Sequence, residues 1–395
     1  MTELKPLKVL VVDDDPFQCS IVTKVLNAMG ISEVKSETDA RAGVELLDSE
    51  WDLLLLDLNM PGMDGIEFLT VMADVPRKPP VVFFSGEEGR ILEVAEELAQ
   101  SLDMDVLGSI AKPVSRDKLA AVIEQLRDRA EKPERRQQGF EVLSVEEIEA
   151  GIQNGAVEMF YQPKVDAQNL DLIGVESLLR WRKPDGSIIG PGAIIPTAES
   201  NGIIYPLTLE VLRSSIKQQA EWRAKNMNIK VSCNLSVDDL TQPDLVSKLD
   251  GMLETYRVPA DSIILEVTES KLAEDVKVVL ASLTRLRLKG FSLSIDDFGT
   301  GFSSMEQLRR FPFTELKIDR AFVNGAGRRA SAKAIFQSSV NLAKAMNMVA
   351  VAEGVEDNDD LELAISLGTD LIQGYFIARP MAAAELEGWY LGRGH

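Results

Sequence analysis

The sequence predicts two α/β domains, a doubly wound parallel sheet followed by a (β/α)8 barrel. Its 395 residues are enough for roughly two to three domains of ordinary size. Short apolar runs alternate with helical patterns along most of the chain, as in proteins built from parallel strands and covering helices. A polar stretch of mixed charge interrupts this alternation near residues 127–138. We therefore predict domains at residues 1–128 and 142–395, joined by a linker at 129–141.

The first domain starts with an apolar run at residues 9–12 that ends in a series of aspartates. A helical pattern follows over residues 17–29, and three further apolar runs lie at 53–56, 81–84 and 105–110. Continuous apolar runs of this kind are typical of parallel strands that helices cover on both faces. Such sheets bind ligands beyond the carboxyl ends of their strands.

The second domain contains eight strand-like runs, at residues 157–161, 172–178, 229–233, 263–267, 292–295, 315–318, 348–352 and 371–373. Helical patterns such as 275–289 and 330–347 separate several of them. Eight βα-like units predict a (β/α)8 barrel, whose chemistry lies at the C-terminal ends of its strands.

Composition excludes several classes of function. The formal net charge of −21 disfavours DNA or RNA binding. The only histidine is His395, so Ser–His–Asp catalysis, Cys–His catalysis and histidine-ligated metal sites are excluded. Two cysteines and the lack of a long apolar run predict a cytoplasmic protein without a membrane segment. Any metal would have oxygen ligands, which indicates Mg²⁺ or Mn²⁺.

The predicted strand ends of the first domain carry three aspartates, a serine and a lysine: Asp13, Asp14, Asp57, Ser85 and Lys112. Since the carboxyl ends of parallel strands meet at one edge, we expect these side chains to converge. Three carboxylates in one place require a divalent cation, and a lysine with a hydroxyl complements phosphoryl oxygens. Any one of these residues could equally cap a helix, so the prediction depends on all five.

The segments LVVDDDP, LLLLDLNMPGMDG, FFSG and AKP resemble the response-regulator receiver domain, a flavodoxin-like fold, over about residues 5–130. The resemblance implies that a cognate sensor histidine kinase phosphorylates Asp57. It further implies one bound Mg²⁺ or Mn²⁺, whose ligands are Asp13, Asp14, Asp57 and the carbonyl of Asn59. Ser85 and Lys112 would contact the phosphoryl group. One position departs from the family, because Ser109 stands where an aromatic residue is usual.

The predicted strand ends of the second domain also carry polar groups: Glu176, Asn234, Glu266, Asp296, Asp297, Lys317, Glu353 and Gln373. Several acids at one barrel mouth repel one another unless they bind one or two divalent cations. Two cations bridged by a carboxylate suit the attack of water on a phosphodiester, and Lys317 and Arg180 could neutralise phosphate charge. A single acid of this kind is more often a solvated or helix-capping residue, so the prediction depends on the whole series.

The motifs ESLLR, CNLS, LEVTE, SIDDFGTGFSS, ELKID and AEGVE closely resemble the EAL-domain phosphodiesterases, TIM-like barrels that hydrolyse cyclic di-GMP to the linear dinucleotide pGpG. The family's Glu-Ala-Leu triplet is Glu176-Ser177-Leu178 in this chain. The resemblance implies the metal ligands Glu176, Asn234, Glu266, Asp296, Asp297 and Glu353, and the catalytic residues Glu176, Asp297, Lys317 and Glu353. It implies substrate contacts from Gln162, Arg180, Glu356 and Gln373. It also implies a homo-oligomer and a regulatory loop of Glu269, Asp297, Phe298, Gly299, Thr300, Gly301, Phe302, Ser303 and Ser304.

Three hypotheses follow. The first is a two-component enzyme in which phosphorylation of Asp57 controls hydrolysis of cyclic di-GMP. The second is a non-catalytic cyclic di-GMP receptor that relays its bound state to a protein partner, and the third is a scaffold. The complete set of acids favours the first. Whether Glu353 is a metal ligand or a general base stays open, as does the choice between Mg²⁺ and Mn²⁺.

Overall fold

A computed structural model describes residues 7–47, 49–85, 90–102, 104–112, 114–131, 142–268, 276–300 and 305–393. The chain divides into two compact units, Met1–Arg136 and Gln137–His395. None of the helices in these ranges is long and apolar enough to cross a membrane.

The first unit is a five-stranded parallel sheet in the order β2-β1-β3-β4-β5. Its strands are β1 (Lys8–Val12), β2 (Glu33–Glu37), β3 (Leu53–Leu56), β4 (Val81–Ser85) and β5 (Val106–Ala111), and its helices are α1 (Pro16–Ala28), α2 (Ala40–Glu45), α3 (Gly65–Met72), α4 (Arg90–Ser101) and α5 (Arg116–Glu131). Successive residues of β1 enter two different cores, Leu10 and Val12 on one face and Val9 and Val11 on the other. The prediction of a doubly wound, flavodoxin-like sheet is confirmed.

Strand β2 is missing from the sequence prediction. Its residues, EVKSE, are exposed or only half-buried, because β2 lies at the edge of the sheet. The interior strand β3 is buried throughout and consists of four leucines. An edge strand therefore lacks the continuous apolar run by which the interior strands were predicted.

Helix α5 ends at Glu131, three residues beyond the predicted end of the first domain at residue 128. The helix thus enters the predicted linker. Residues 132–141, the rest of that linker, lie outside the described residues, so its bounds stay a prediction.

The second unit is a closed barrel of eight strands in the order β6-β7-β9-β10-β11-β12-β13-β14, in which β14 pairs with β6. The strands are β6 (Val157–Asp166), β7 (Leu172–Arg182), β9 (Lys230–Leu235), β10 (Ile263–Thr268), β11 (Ser292–Phe298), β12 (Glu315–Ile318), β13 (Val349–Ala352) and β14 (Leu371–Ile372); two short strands, β8 (Ile188–Ile189) and β15 (Met381–Ala382), pair with β7 and β6. The described helices are α6 (Val145–Asn154), α7 (Ile195–Ser200), α8 (Ile204–Ala224), α9 (Val237–Leu240), α10 (Leu245–Tyr256), α11 (Val276–Leu288), α12 (Met305–Arg310), α13 (Arg320–Val323), α14 (Ala330–Ala345), α15 (Asn358–Leu367) and α16 (Ala383–Leu391). The predicted TIM-like barrel is confirmed.

The barrel departs from eight regular βα units at its first strand. Strand β6 is antiparallel to both of its barrel neighbours, β7 and β14. The chain passes from β6 to β7 through residues 167–171, where Asp166 Oδ1 accepts hydrogen bonds from the N–H groups of Gln168 and Asn169. Such a turn is too short for a crossover helix, so the two strands form a hairpin. The prediction of eight βα-like units is wrong at this point.

Candidate functional site

In the first unit, two aspartates and a lysine meet at the carboxyl edge of the sheet. Asp13 follows β1 and Asp57 follows the neighbouring strand β3. The Nζ atom of Lys112 lies 2.7 Å from Asp13 Oδ2 and 2.8 Å from Asp57 Oδ2. Carboxylate oxygens of Asp13, Asp14 and Asp57 lie within 4.8 Å of one another. Burial raises the pKa of Asp13, although Lys112 and the N–H of Asp15 favour its ionised form.

The MPGMDG motif brings helix α3 close to Asp57. At Gly65, the first residue of α3, an added Cβ would lie only 2.4 Å from the carbonyl oxygen of Asp57. The preceding residue, Asp64, caps the helix by accepting a hydrogen bond of 2.8 Å from the N–H of Glu67. Only glycine permits this close approach, so the motif has a local structural cause.

The structure describes fewer contacts for the other residues of the first unit that the sequence analysis singled out. The exposed Asn59 donates its backbone N–H to Asp57 Oδ1 at 3.4 Å. Ser85 ends strand β4, but its side chain lies outside the described part of the chain. Ser109 lies on β5 with its side chain exposed.

In the barrel, one lysine contacts four carboxylates that come from four separate parts of the sequence. Lys317, on β12, is 1% exposed. Its Nζ lies 2.7 Å from Glu353 Oε1, 2.8 Å from Glu266 Oε2, 2.9 Å from Asp296 Oδ1 and 3.5 Å from Glu176 Oε2. Burial alone would lower the pKa of Lys317, but these carboxylates raise it well above its usual range. The ammonium therefore stays charged.

Amide groups hold both oxygens of Glu176. Asn234 donates Nδ2–H to Oε1 at 3.0 Å, and Gln373 donates Nε2–H to Oε2 at 2.6 Å. Gln373 also donates to Gln162 Oε1 at 3.1 Å, and Gln162 donates to the carbonyl of Ala378 at 3.2 Å. This chain of hydrogen bonds orients the carboxylate at the barrel mouth.

The adjacent acids Asp296 and Asp297 reach the same site for a reason that differs from the prediction. Both lie within β11 rather than beyond its end, where alternation would send their side chains to opposite faces. The register against β12 shifts between Ile295 and Phe298, and Asp297 has a φ of 54°. This irregularity breaks the alternation, and carboxylate oxygens of Asp296, Asp297 and Glu353 lie within 4.8 Å of one another. A left-handed aspartate is a strained backbone conformation of the kind found at functional sites.

The four carboxylates around Lys317 differ in acidity. Burial would raise the pKa of Glu266, but the charges of Lys317 and Lys164 lower it to about 2. Burial raises the pKa of Glu353 well above its usual range, and it also raises the pKa values of Glu176 and Asp296, in each case against the opposing effect of Lys317. Three acids of the site therefore bind protons more tightly than free carboxylates do.

These shifts predict that acidification weakens divalent cation binding. A carboxyl group must lose its proton to become a ligand, and a raised pKa places that loss at a higher pH. We expect the Mn²⁺ affinity of the barrel to fall as the pH is lowered, with protons released on binding. Calorimetry in buffers of different ionisation enthalpy measures both quantities, with Asp13→Asn included to weaken binding in the first unit. Unchanged affinity without proton release would contradict the prediction.

Other predicted residues contribute less to this arrangement. Arg180 is half-buried, with its guanidinium 5.4 Å from the centre of the Phe160 ring, and Glu356 is exposed. Thr300 donates its N–H and its hydroxyl to the carbonyl of Asp297, which holds the start of the predicted regulatory loop. Phe298 and Gly299 are described, whereas Glu269, Gly301, Phe302, Ser303 and Ser304 lie outside the described residues.

One charged residue near the site is absent from the sequence prediction. Lys164 of β6 contacts Glu266 at 3.2 Å and Glu315 at 3.0 Å. The sequence feature that could have identified Lys164 is its spacing from Gln162, because residues two apart on a strand share a face. The predicted strand ended at residue 161, which concealed that relation.

Both clusters offer only oxygen donors to a cation. Carboxylate and amide oxygens suit Mg²⁺ and Mn²⁺ and do not favour softer metals. Each cluster has at least three acids with a ligand atom in the same small volume. The residues present therefore fit divalent cations in both units.

The fold and the two sites define the class. A flavodoxin-like sheet with an aspartate–lysine pocket precedes a barrel whose interior acids surround a lysine, an arrangement that fits a receiver domain followed by an enzyme-like barrel. The response regulator receiver domain model matches residues 9–124, and the EAL domain model matches residues 145–380. This chain belongs to the EAL domain family and carries an N-terminal receiver domain.

Individual relatives are similar to this chain over 61% to 96% of its length. The chain is 31% identical over 381 residues to cyclic di-GMP phosphodiesterase RocR of Pseudomonas aeruginosa, covering 96% of this chain and 97% of that protein. The structure of PaMucR phosphodiesterase in complex with c-di-GMP is 36% identical with a TM-score of 0.59, covering 61% of this chain and 98% of that one. EAL enzyme Bd1971 in its cAMP- and cyclic-di-GMP-bound form is 26% identical with a TM-score of 0.60, covering 75% and 79%.

Proposed function

We propose that this protein is a two-component response regulator whose EAL domain hydrolyses cyclic di-GMP to linear pGpG. The observation that carries the proposal is the complete barrel site, in which four carboxylates surround the buried Lys317 and amides orient Glu176. The similarity to a named cyclic di-GMP phosphodiesterase over almost the whole length of both chains supports the choice of substrate.

The proposed ligands of a first divalent cation are Glu176, Asn234, Glu266 and Asp296, and those of a second are Asp296, Asp297 and Glu353. Bound Mg²⁺ or Mn²⁺ supplies Lewis acidity and increases the acidity of water. Asp296 belongs to both sets, so its two oxygens can serve two neighbouring cations. We assign Glu353 to the ligands because its carboxylate lies in the same cluster as Asp296 and Asp297.

The protein's own residues position the substrate and stabilise charge. The positive charge of Lys317 lies at the centre of the site, where it would stabilise the negative charge that increases on the phosphoryl oxygens during attack by water. Its contacts with four carboxylates fix its Nζ in place. Arg180 and Glu356, at the more accessible positions, contact the substrate together with Gln162 and Gln373. Because Lys317 and Glu266 are buried, bulk water screens these interactions less than it would at the surface.

A turnover assay tests the proposal. The purified full-length protein is incubated with cyclic di-GMP and Mg²⁺ or Mn²⁺, and the products are separated by chromatography. Linear pGpG should form only when metal is present, and Glu176→Ala should abolish it. Tight binding of cyclic di-GMP without product would overturn the enzyme and establish a receptor that acts through a protein partner.

Phosphorylation of Asp57 is proposed to regulate this activity, with a sensor histidine kinase as the physiological donor. A phosphoryl group on Asp57 adds negative charge beside Lys112 and Asp13 and so favours a different arrangement of the pocket. We expect a small phosphodonor to change the turnover rate of the unmutated protein and of Asp74→Asn, an exposed control in the same unit. Asp57→Asn should not respond. Equal rates with and without the donor in all three proteins would contradict the regulation but not the hydrolysis.

The oligomeric state of the chain is proposed from its resemblance to the same family. We propose a homo-oligomer, in which the loop that begins at Asp297 connects the subunit interface to the cation ligands. Analytical ultracentrifugation of the full chain measures the oligomeric state, and a monomer at all concentrations would overturn this part of the proposal.

A further inference from the structure

A second buried lysine lies inside the barrel, beneath the site. Lys164 is 1% exposed and faces the interior from β6. Its Nζ donates to Ser232 Oγ, to Glu266 Oε1 at 3.2 Å and to Glu315 Oε1 at 3.0 Å. A buried lysine with three acceptors is fully hydrogen-bonded, so it is a fixed part of the interior.

The two oxygens of Glu266 are divided between two lysines. Oε1 contacts Lys164, and Oε2 contacts Lys317 at 2.8 Å. Glu266 is 0% exposed, so water does not compete for either oxygen. With Oε1 occupied, the carboxylate can turn only Oε2 towards Lys317 and the other acids.

The reversed direction of β6 keeps Lys164 away from the substrate. In the hairpin, Gln162 pairs with Glu176, whereas Lys164 pairs with Gly174, two residues closer to the amino-terminal end of β7. Gln162 therefore lies level with Glu176, and Lys164 lies one layer deeper on the same face. A side chain in that layer can act on the reaction only through the residues above it.

From these contacts we propose that Lys164 is a positioning residue, which holds Oε1 of Glu266 so that Oε2 is presented to a divalent cation in the barrel. The proposal rests on the proposed function for the identity of that cation site. Groups that orient a ligand in this way typically change metal affinity by about 10- to 100-fold when they are removed.

Glu315, the second carboxylate partner of Lys164, allows the lysine to be replaced without a change in the net charge beneath the site. Removing Lys164 alone would leave Glu266 and Glu315 as buried charges without their shared cation, which is strongly destabilising. The double variant Lys164→Met/Glu315→Gln removes one positive and one negative charge, so the net charge beneath the site is unchanged. Any change in metal affinity then reports the orientation of Glu266 rather than the charge of the barrel.

The experiment is a calorimetric titration of the full chain with Mn²⁺ alone, with Asp13→Asn in every protein. We expect the double variant to bind Mn²⁺ about 10- to 100-fold more weakly, and excess Mn²⁺ to restore its kcat for cyclic di-GMP, because a merely structural defect would not respond to metal. Lys230→Met, the same exchange at an exposed position of β9, should bind as the unmutated protein does. A folded double variant with unchanged Mn²⁺ affinity would overturn the proposal.

Two further outcomes separate this proposal from the proposed function. If the double variant does not fold, Lys164→Arg keeps the charge but replaces the compact ammonium by a planar guanidinium. We expect weaker Mn²⁺ binding in this variant, and unchanged binding in a folded Lys164→Arg protein would overturn the inference. If the unmutated protein binds Mn²⁺ but does not hydrolyse cyclic di-GMP, the proposed hydrolysis fails, while weaker binding in the Lys164 variants still supports the positioning role.

Discussion

Replacing Lys317 by methionine is expected to lower kcat for cyclic di-GMP hydrolysis by about 100- to 1,000-fold, the usual effect of removing a fixed donor to a developing negative charge. Lys317 lies within 3.5 Å of all four acids, Glu176, Glu266, Asp296 and Glu353. Methionine keeps much of the volume of the side chain and removes the charge and the donors. The substrate would then lose a fixed positive charge beside the phosphoryl group.

The same substitution should also destabilise the protein. Removing one partner of a buried ion pair typically costs about 3–5 kcal/mol, and here four carboxylates lose their common partner. Since divalent cations replace part of the lost positive charge, we expect the Tm deficit to be larger in a chelator than in Mn²⁺. Steady-state kinetics and thermal unfolding under both conditions measure the two effects, with Lys230→Met as the control. A folded Lys317→Met protein with normal kcat would exclude the catalytic role proposed for Lys317.

Exchanging Glu353 for glutamine is expected to weaken Mn²⁺ binding and to lower kcat by about 100-fold. The Glu353 carboxylate lies 2.7 Å from Lys317 and in one cluster with Asp296 and Asp297, the three acids that we propose to bind a cation. Glutamine has the same shape but no charge, so a cation loses much of its attraction to this position. Without that cation the Lewis acidity that would activate water and polarise the phosphate would also be lost.

This variant also separates the two roles considered for Glu353. A general base that does not bind metal would lower kcat while leaving the Mn²⁺ affinity unchanged. Calorimetry with Mn²⁺ and turnover with cyclic di-GMP, measured on the same protein, distinguish the two results. The matched control is Glu362→Gln, an exposed glutamate on α15, for which we expect neither value to change. Normal Mn²⁺ binding with a low kcat would assign Glu353 as the base.

The interior strands and most of the site acids could be predicted from local sequence. Strand β3 consists of four leucines because helices cover both of its faces. Asp13 and Asp57 directly follow apolar runs, so their convergence at one sheet edge followed from the parallel topology alone. In the barrel, each main acid lies within or next to a short apolar run, so the sequence predicts Glu176, Glu266, Asp296 and Glu353 at one mouth.

Features that depend on pairing between distant segments could not be predicted in this way. The direction of β6 depends on its hydrogen bonds to β7 and β14. The register shift that brings Asp296 and Asp297 together depends on the pairing of β11 with β12. Apolar periodicity records which faces are buried, but it contains no information about which strand lies alongside or in which direction.

Lys164 shows most clearly the difference between what local sequence predicts and what the pairing of distant segments decides. Its sequence neighbours predicted only that it shares a face with Gln162. Its partners Glu266 and Glu315 are 102 and 151 residues away in the chain, and only the closed barrel brings the three charges together. The sequence by itself therefore determined the fold class and the chemical nature of the site. The tertiary structure decided which charged groups share a buried interior, because that depends on strand order and register rather than on local composition.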